Sequence, residues 1–258
     1  MNTKDMSKAQ GHWILAKMGK KVLRPGGKEL TLKMIDSLQI NSKDDVAEFA
    51  PGLGYTANLT LQKNPKTYCG IELDPQAVKK LRKVIQGKNR KIINGNANDS
   101  KMNSDSMDKV YGEAMLTMHT DHRKSEIIEE AHRILKKGGL YAIHEIGLLP
   151  EEISEELKAE ITRELALSIR VNARPLTKHE WSSLLEEKGF IVRSVHTNPM
   201  SLLETKRILD DEGFFRTLKI AFNILLQPKA RKRILEMRKV FRAYAQHMNA
   251  IVIVAEKA

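Results

Sequence analysis

Cysteine is nearly absent from this chain of 258 residues, which carries Cys69 alone. A single cysteine excludes an internal disulfide and any metal cluster built from cysteine ligands. Long apolar runs are missing as well, since no segment approaches the ~20 apolar residues that a membrane-spanning helix needs. Residues 1–10 are polar and lack the apolar centre of a signal peptide. These absences predict a cytoplasmic protein without a transmembrane segment.

Aromatic residues make up only 5% of the chain, whereas basic residues give it a formal net charge of +12. The excess charge lies near the two ends: residues 1–33 hold eight Lys or Arg against two acids, and residues 226–242 hold seven against one. Residues 229–248 predict a basic amphipathic helix, which would lie on anionic lipid, contact RNA or only pack on the domain. Nucleic acid is not the favoured partner, because few aromatics are available there for base stacking.

An apolar strand at residues 45–49 runs into a glycine turn and then into a helix. Gly52 and Gly54, one residue apart, let the backbone turn sharply and approach a ligand closely. The turn therefore indicates a nucleotide-type cofactor. Taken alone it also satisfies a dinucleotide fingerprint that ends at Ala57, so a nicotinamide cofactor stays open at this point.

Three further strands follow the turn. The run 67–74 predicts a buried strand whose acid, Glu72, could accept hydrogen bonds from both hydroxyls of a ribose. The run 91–94 predicts a short strand followed by a polar turn, and 107–113 predicts the next strand. Ribose recognition fits either kind of cofactor, so the order of the motifs has to decide between them.

That order resembles the class I S-adenosylmethionine-dependent methyltransferases, and most closely the methyltransferase type 11 branch that includes ubiquinone and menaquinone biosynthesis enzymes. The resemblance covers residues 44–146 and rests on five motifs, each weak by itself. The matching residues, in chain order, are Glu48 with Gly52 and Gly54, then Glu72, then Gly95-Asn96-Ala97, then Met107-Asp108, and then Leu135-Lys136-Lys137-Gly138-Gly139.

The resemblance implies S-adenosylmethionine as the cofactor. The residues that it assigns to cofactor binding are Glu48, Ala50, Pro51, Gly52, Gly54, Glu72, Leu73, Asn96, Ala97 and Glu113. The chain departs from the family pattern where Ala50 replaces the first glycine, Pro51 precedes the second, and Asn96 replaces an aspartate. An Asn side chain can still accept from the adenine amino group through its carbonyl oxygen, though without charge assistance.

Strands and helices alternate along residues 41–150, which favours a parallel α/β sheet with its crevice at the carboxyl ends of the strands. The resemblance implies a Rossmann-like sheet of seven strands with helices on both faces. We expect one domain over 1–258, with an N-terminal helical segment at 1–40, the cofactor-binding core at 41–150 and the rest of the sheet in 151–258. The family's last two strands form a near-continuous hairpin, but 198–249 separates them here. We expect this insertion to be helical and to form a lid with the N-terminal helices.

Local sequence signals predict where several helices begin and end. The segment Ala9–Leu23 predicts a helix that is broken by the turn at residues 24–27, and a second helix is predicted over Glu29–Leu38. Thr177 as cap and Glu180 three residues later form a predicted capping box at the start of another helix.

The fourth strand ends in the candidate chemical groups. Glu113 could contact the sulfonium or the amino group of the cofactor, or bind a cationic acceptor, because an acid at such a strand end usually faces the crevice. His119 is a candidate base, since neutral imidazole suits proton removal near pH 7. His144 is expected to be a buried, hydrogen-bonded histidine. The histidines and acids of this region lack metal-ligand spacing, so no metal site is predicted.

These observations predict methyl transfer to a small-molecule acceptor by in-line displacement. The basic ends keep an RNA or protein acceptor open, although the fourth strand lacks the Asn/Asp-Pro-Pro-Tyr motif of enzymes that methylate base amino groups. A nicotinamide-dependent oxidoreductase and a non-catalytic binding module are the remaining alternatives. The apolar faces of the added helices would serve either the substrate pocket or a homodimer surface.

Overall fold

A sheet of eight strands forms the centre of the computed structural model, which describes residues 9–258. The first eight residues of the predicted helical segment 1–40 lie outside the described part. The strands are β1 Asp45–Phe49, β2 Thr67–Glu72, β3 Arg90–Asn94, β4 Met107–Glu113, β5 Leu135–Leu148, β6 Leu176–Thr177, β7 Phe190–Pro199 and β8 Met248–Lys257. Their order in the sheet is β3-β2-β1-β4-β5-β8-β7, with β6 paired to β5. All neighbours run parallel except β8, which is antiparallel to both β5 and β7.

Ten α-helices surround the sheet in the described part of the chain. They are α1 Gly11–Met18, α2 Gly27–Ser37, α3 Tyr55–Gln62, α4 Pro75–Val84, α5 Asp121–Ile134, α6 Glu155–Ile169, α7 Lys178–Glu186, α8 Thr205–Glu212, α9 Phe214–Leu226 and α10 Pro228–Ala243. The predicted α/β class is confirmed, and three helices, α8 to α10, lie between β7 and β8. The predicted seven strands become eight because β6 adds a two-residue pairing.

The helix predicted over Ala9–Leu23 is shorter in the structure. It ends at Met18 because Gly19 adopts a left-handed conformation, with φ of +108°, and closes the last turn with bonds to Ala16 and Leu15. The segment after Gly19 therefore leaves the helix and runs toward the sheet. The capping box of α7 is confirmed, since Thr177 and Glu180 each bond the other's backbone N–H.

Two of the four hydrophobic clusters in residues 9–258 bear on the site. One lies between the sheet and α5 and α7, and includes Phe49, Val110, Ile143 and Trp181. The other lies among α1, α6, α9 and α10, where the buried residues are Ile14, Leu15, Met18, Ile161, Leu165, Ile220, Met237 and Phe241. We call these four helices together with α8 the helical cap.

Buried charges fasten the N-terminal connector to the helical cap. Lys20 Nζ lies 3.3 Å from Asp211 Oδ2 at the end of α8, and both side chains are only 1% exposed. Glu212, the last residue of α8, accepts the backbone N–H groups of Lys21 and Val22 on its Oε1, at 2.7 and 2.8 Å. These bonds fix the path of residues 20–27 across the end of the sheet.

Membrane-spanning candidates were sought among the helices of residues 9–258, and none combines the length and the apolar composition required.

Candidate active site

A crevice of about 570 Å³ opens at the carboxyl ends of β1, β2 and β4, where an open α/β sheet binds its ligands. Its floor comes from these strand ends and its roof from the N-terminal segment. Eight of the predicted site residues line it: Ala50, Gly52, Glu72, Leu73, Asn96, Ala97, Glu113 and His119. The sequence motifs of the core thus meet at one place.

The glycine turn has the left-handed backbone that such a cradle requires. Gly52 and Gly54 have φ of +59° and +78°, and Gly54 is the N-cap of α3. A Cβ on Gly54 would lie 2.9 Å from Leu81 Cδ2, so only glycine fits there. Ala50, which replaces the family's first glycine, keeps the left-handed conformation with φ of +54°. The departure at Ala50 therefore changes the side chain but not the shape of the turn.

Glu72 joins the turn to the end of β2. Its Oε2 accepts the N–H of Gly52 at 2.9 Å and its Oε1 accepts the N–H of Asp74 at 2.9 Å. Each carboxylate oxygen has a second lone pair, so both remain able to accept from a ligand hydroxyl. Glu72 is thus held in place by backbone donors at the position where the sequence predicts ribose recognition.

The far end of the crevice carries the residues predicted to hold an adenine. Leu73 is 64% exposed and lines the crevice beside Asn96 and Ala97. Asn96 begins a tight turn, because its carbonyl oxygen accepts the N–H of Asp99 at 3.0 Å. An exposed leucine beside a polar turn suits a flat, partly polar ring.

Glu48 does not line this crevice. Its carboxylate accepts hydrogen bonds from the hydroxyls of Tyr68 and Tyr111, at 2.5 and 2.7 Å, and the residue is only 2% exposed. Burial raises the pKa of Glu48 to about 7, against the lowering effect of the two tyrosine hydroxyls. Glu48 is predicted as a cofactor ligand, but its carboxylate lies behind the turn. Pro51 and Gly54 likewise shape the turn without lining the crevice.

Glu113 is the centre of a buried polar network. Its Oε2 accepts from Arg24 Nε at 3.1 Å and from the hydroxyl of Thr56, and its Oε1 accepts from Thr31 Oγ1 and His144 Nδ1, both at 2.7 Å. Burial alone would raise the pKa of Glu113, but Arg24, His144 and Thr56 outweigh it and hold that pKa well below its usual range. The carboxylate is ionised, with its lone pairs engaged by protein donors.

His144 is fully buried and hydrogen-bonded on both ring nitrogens, as the sequence predicts. Its Nε2 accepts the N–H of Gly26 at 3.2 Å, so the ring proton lies on Nδ1 and is donated to Glu113. The ring is therefore neutral and links the N-terminal segment to β4.

Two histidines face the open space instead. His119 lines the crevice, and burial together with Arg123 and Lys124 lowers its pKa. His12, in α1, lines the crevice as well; burial and the nearby Arg24 cation lower its pKa to about 4. Both rings are neutral near pH 7 and able to accept a proton.

A second, mostly apolar cavity of about 70 Å³ adjoins the crevice under the helical cap. His12, Leu23, Ala114 and Met118 line both spaces, and we call the boundary that they share the passage. The cavity's other walls come from α1, α6 and α10 and from the loop after β7, through Leu15, Ile169, Leu202, Met237 and Phe241.

Glu145 lies in the wall of the cavity, yet its charge is fully engaged. It accepts the backbone N–H groups of Met115, Leu116 and Thr117 at 2.8–3.0 Å, and the Thr117 hydroxyl at 2.7 Å. Burial raises the pKa of Glu145 despite these donors. Its role is to hold the turn after β4 that separates crevice from cavity.

Sequence reasoning missed the N-terminal contributors to the crevice. Arg24, His12 and Trp13 line it although they precede β1, and Tyr55 lines it from the first turn of α3. No local motif marks the first three, because the fold of the helical cap brings them there. Among residues 9–258, no three His, Cys, Asp or Glu side chains are placed to hold a metal ion.

Comparisons with known proteins agree with this geometry. The family described as "Methyltransferase domain" matches residues 47–143, which contain the glycine turn, Glu72, Asn96 and Glu113. An uncharacterised protein of Haemophilus influenzae is 33% identical over 252 residues, covering 96% of this chain and 98% of that protein. The likeness to this relative therefore extends through the helical cap.

Two solved structures have a similar fold. Phosphoethanolamine N-methyltransferase 2 of Haemonchus contortus, solved in complex with S-adenosyl-L-methionine, aligns with a TM-score of 0.73 at 16% identity, over 99% of this chain and 58% of that one. The MccD protein aligns with a TM-score of 0.69 at 19% identity, over 92% of this chain and all of that one. On the evidence of the matched domain, the chain belongs to the class I S-adenosylmethionine-dependent methyltransferases, and the two solved structures show the same fold.

Proposed function

We propose that the enzyme methylates a small molecule with an apolar body, which binds in the cavity under the helical cap. The observation that carries this proposal is the passage at His12, Leu23, Ala114 and Met118, where the more polar crevice meets a mostly apolar cavity. Two adjoining spaces of different polarity suit two different ligands. An acceptor in the cavity would present one polar atom at the passage.

The residues of the crevice fit the cofactor. When bound, S-adenosylmethionine supplies a methyl group on a positively charged sulfur, which is already activated as a leaving group. Glu72 can accept from the ribose hydroxyls, since its two oxygens are oriented by Gly52 and Asp74. The turn at residues 50–54 leaves room for a close approach of ligand to backbone.

Arg24 is proposed to bind the carboxylate of the cofactor's amino-acid end. It lines the crevice, and Glu113 holds its Nε. The guanidinium keeps its other N–H donors for a second partner, and a planar carboxylate matches their geometry. Glu113 is then a positioning residue, because an ionised carboxylate with four protein donors is a poor base and orients Arg24 instead.

Methyl transfer depends mainly on holding donor and acceptor in line at contact distance. A base is needed only if the acceptor loses a proton, and two neutral histidines are available for that. His119 lines the crevice but not the cavity. His12 lines both spaces and so faces both ligands. We therefore assign proton removal to His12 and leave His119 as the alternative base. With a pKa of about 4, His12 can take a proton only from a strongly acidic group, such as an acceptor oxygen that has already gained the methyl group.

A labelling experiment tests this proposal. The purified protein is incubated with methyl-labelled S-adenosylmethionine and three separate acceptor pools: organic-extractable small molecules, RNA and protein. We expect label in the small-molecule pool, its loss in Glu72→Ala, and its retention in Glu156→Ala, which removes an exposed acid on α6. Label in RNA or protein instead would contradict a small-molecule acceptor.

The base is tested with histidine variants in the same assay. His12→Ala should lower turnover at every pH, with little change in cofactor affinity, if His12 removes the proton. His122→Ala is the matched control, because that side chain is 86% exposed. If His119→Ala lowers turnover while His12→Ala keeps full activity, His119 is the base that removes the proton.

A further inference from the structure

The solvent side of α9 is apolar. We call this surface the α9 face and define it by the exposed side chains Phe214, Phe215, Leu218, Phe222, Leu225 and Leu226. Their exposure runs from 53% for Leu218 to 85% for Phe215. One exposed leucine is ordinary, but six large apolar side chains along 13 residues of one helix form a continuous patch of the kind that marks an interaction site.

The orientation of α9 is fixed by its other side. Ile220 is 3% exposed and packs in the cluster of the helical cap, with Ile224 packed against the same cluster. The Asn223 side chain donates to the carbonyl oxygen of Met18 at 2.9 Å, which ties α9 to the end of α1. The helix therefore cannot turn its apolar face inward without breaking these contacts.

Exposed cations without an ion pair lie on α9 and on the helix that follows it. Lys219 is exposed within α9, and α10 follows after the single residue Gln227 with Lys229, Arg231, Lys232 and Lys239 exposed. Within residues 9–258, none of these five cations forms an ion pair. Other basic residues of α10 are neutralised, since Arg238 and Arg242 both bind the carboxylate of Glu204. The five free cations thus remain available to an external anion.

The amino-acid composition of α9 and α10 distinguishes among the partners that could cover the α9 face. Residues 214–243 hold nine Lys or Arg and one acid, Glu236. A second copy would bring the same cations against these, so charge opposes self-association through this surface. Nucleic acid would satisfy the cations but not the six apolar side chains. An anionic bilayer satisfies both, because apolar side chains enter the acyl boundary while Lys and Arg contact headgroups.

We propose that the α9 face and the adjacent cations of α10 dock this protein on the surface of an anionic lipid bilayer. The helix would lie in the plane of the interface, since its 13 residues are too few to span the bilayer. Binding requires no ligand in the active site, so the proposal stands or falls separately from the identity of the methyl acceptor.

Vesicle sedimentation tests the proposal with the full chain. One set of vesicles is phosphatidylcholine alone, and the other contains phosphatidylcholine and phosphatidylglycerol at about 3:1. We expect the protein to sediment with the anionic vesicles, and binding to weaken as salt is raised, because salt screens exposed charges. Absence of binding to the anionic vesicles would overturn the proposal.

Paired variants separate the apolar and the charged contributions. Phe215→Ser with Phe222→Ser removes two exposed side chains of the α9 face, and its control is Val84→Ser with Ile191→Ser, at side chains 61% and 45% exposed. Lys232→Glu with Lys239→Glu reverses two free cations, and its control is Lys79→Glu with Lys80→Glu on the exposed side of α4.

We expect each α9 or α10 pair to weaken vesicle binding by about tenfold or more and each control pair to leave it within about twofold. Circular dichroism checks that all four variants are folded. Unchanged binding in the Phe215→Ser/Phe222→Ser protein would overturn the docking surface. A concentration-dependent dimer that this same pair abolishes, without vesicle binding by the parent protein, would make the α9 face a contact between copies and equally overturn the proposal.

Discussion

The crevice and the cavity under the helical cap differ in how the chain builds them. The crevice is organised by short-range bonds, such as those from Glu72 to the backbone of Gly52 and Asp74. The cavity is assembled from residues as far apart as Leu15 and Phe241, and its cover is held by the buried pair of Lys20 and Asp211. The ribose end of the cofactor site is therefore a local property of the core, whereas the cavity and the proposed Arg24 contact depend on distant segments meeting.

The two spaces also differ in polarity, which gives each its own kind of ligand. The crevice presents carboxylates, backbone groups and Arg24, while the cavity presents leucine, methionine and phenylalanine side chains. Substitutions at residues that line only one space should leave ligand binding in the other largely unchanged, since sites without shared contacts respond independently. The Glu113 network, which is a junction between the sheet and the N-terminal segment, should behave differently, because both spaces take part of their walls from that segment.

Loss of that junction should have the largest effect. Glu113→Ala leaves Arg24 and His144 buried without their common partner, and removing one member of a buried charge network costs about 3–5 kcal/mol of unfolding free energy. Denaturant unfolding measures this change. Glu156→Ala, at an exposed acid, is the control and should change stability by less than about 0.5 kcal/mol. A loss in Glu113→Ala no greater than in that control would contradict the assigned network.

The pH dependence of stability tests the position of Glu48 behind the crevice. Its native pKa of about 7 exceeds the ordinary 4.5, so the folded state holds a proton between these values that the unfolded state loses. This contribution is present below pH 4.5 and is lost as pH rises through about 7. The shift corresponds to roughly 3 kcal/mol.

The matched variant is Glu48→Gln, which keeps an oxygen for Tyr68 and Tyr111 but cannot ionise. Wild type should lose stability relative to this variant as pH is raised from about 4.5 to above 7, while both bind S-adenosylmethionine equally. Parallel stability profiles would contradict the raised pKa of Glu48. A loss of cofactor affinity would instead support the sequence prediction that Glu48 binds the cofactor.

Glu72→Ala should weaken cofactor binding by roughly 1–3 kcal/mol, because hydrogen bonds to the ribose and the support of the Gly52 turn are both lost. Calorimetric titration with S-adenosylhomocysteine measures the change, with Glu156→Ala as control. Binding of an apolar fluorescent probe in the cavity should not change. Unaltered affinity for S-adenosylhomocysteine would remove Glu72 from the cofactor site.

Leu202→Trp should change cofactor affinity least of these variants, but it should reduce ligand binding in the cavity. Leu202 is only partly buried and lines the cavity without lining the crevice, so a larger ring can narrow the cavity with little strain. We expect cofactor affinity to stay within about 0.5 kcal/mol while probe fluorescence and methyl transfer fall. An equal loss of cofactor binding would show that the two spaces are not independent.

The difference between locally built and distantly assembled parts explains what could be predicted from the sequence. The strand, the glycine turn and Glu72 lie within 30 residues, and each has a local signature in backbone freedom or strand pattern. Their meeting at one edge follows from parallel topology alone. The left-handed conformation of Ala50 shows that the turn survives the loss of a family glycine, which the pattern by itself does not reveal.

Long-range contacts account for the rest. Glu48 lies opposite Gly70 on β2 and Tyr111 on β4, so its two tyrosine partners come from both neighbouring strands and cannot be recognised before the register is known. Arg24 reaches the crevice because residues 20–27 are fixed by α8, some 190 positions further along the chain. His12 reaches it because α1 packs against α9 and α10. Strand β6 has two residues, too few for any periodicity to indicate.

The structure of the protein with S-adenosylhomocysteine bound tests the central claim most directly. The account predicts the ribose hydroxyls on Glu72, the amino-acid carboxylate on Arg24, and the sulfur directed at the passage between His12 and Ala114, with the cavity beyond it still open. A ligand whose sulfur points away from that passage, or whose ribose lies elsewhere than on Glu72, would contradict it.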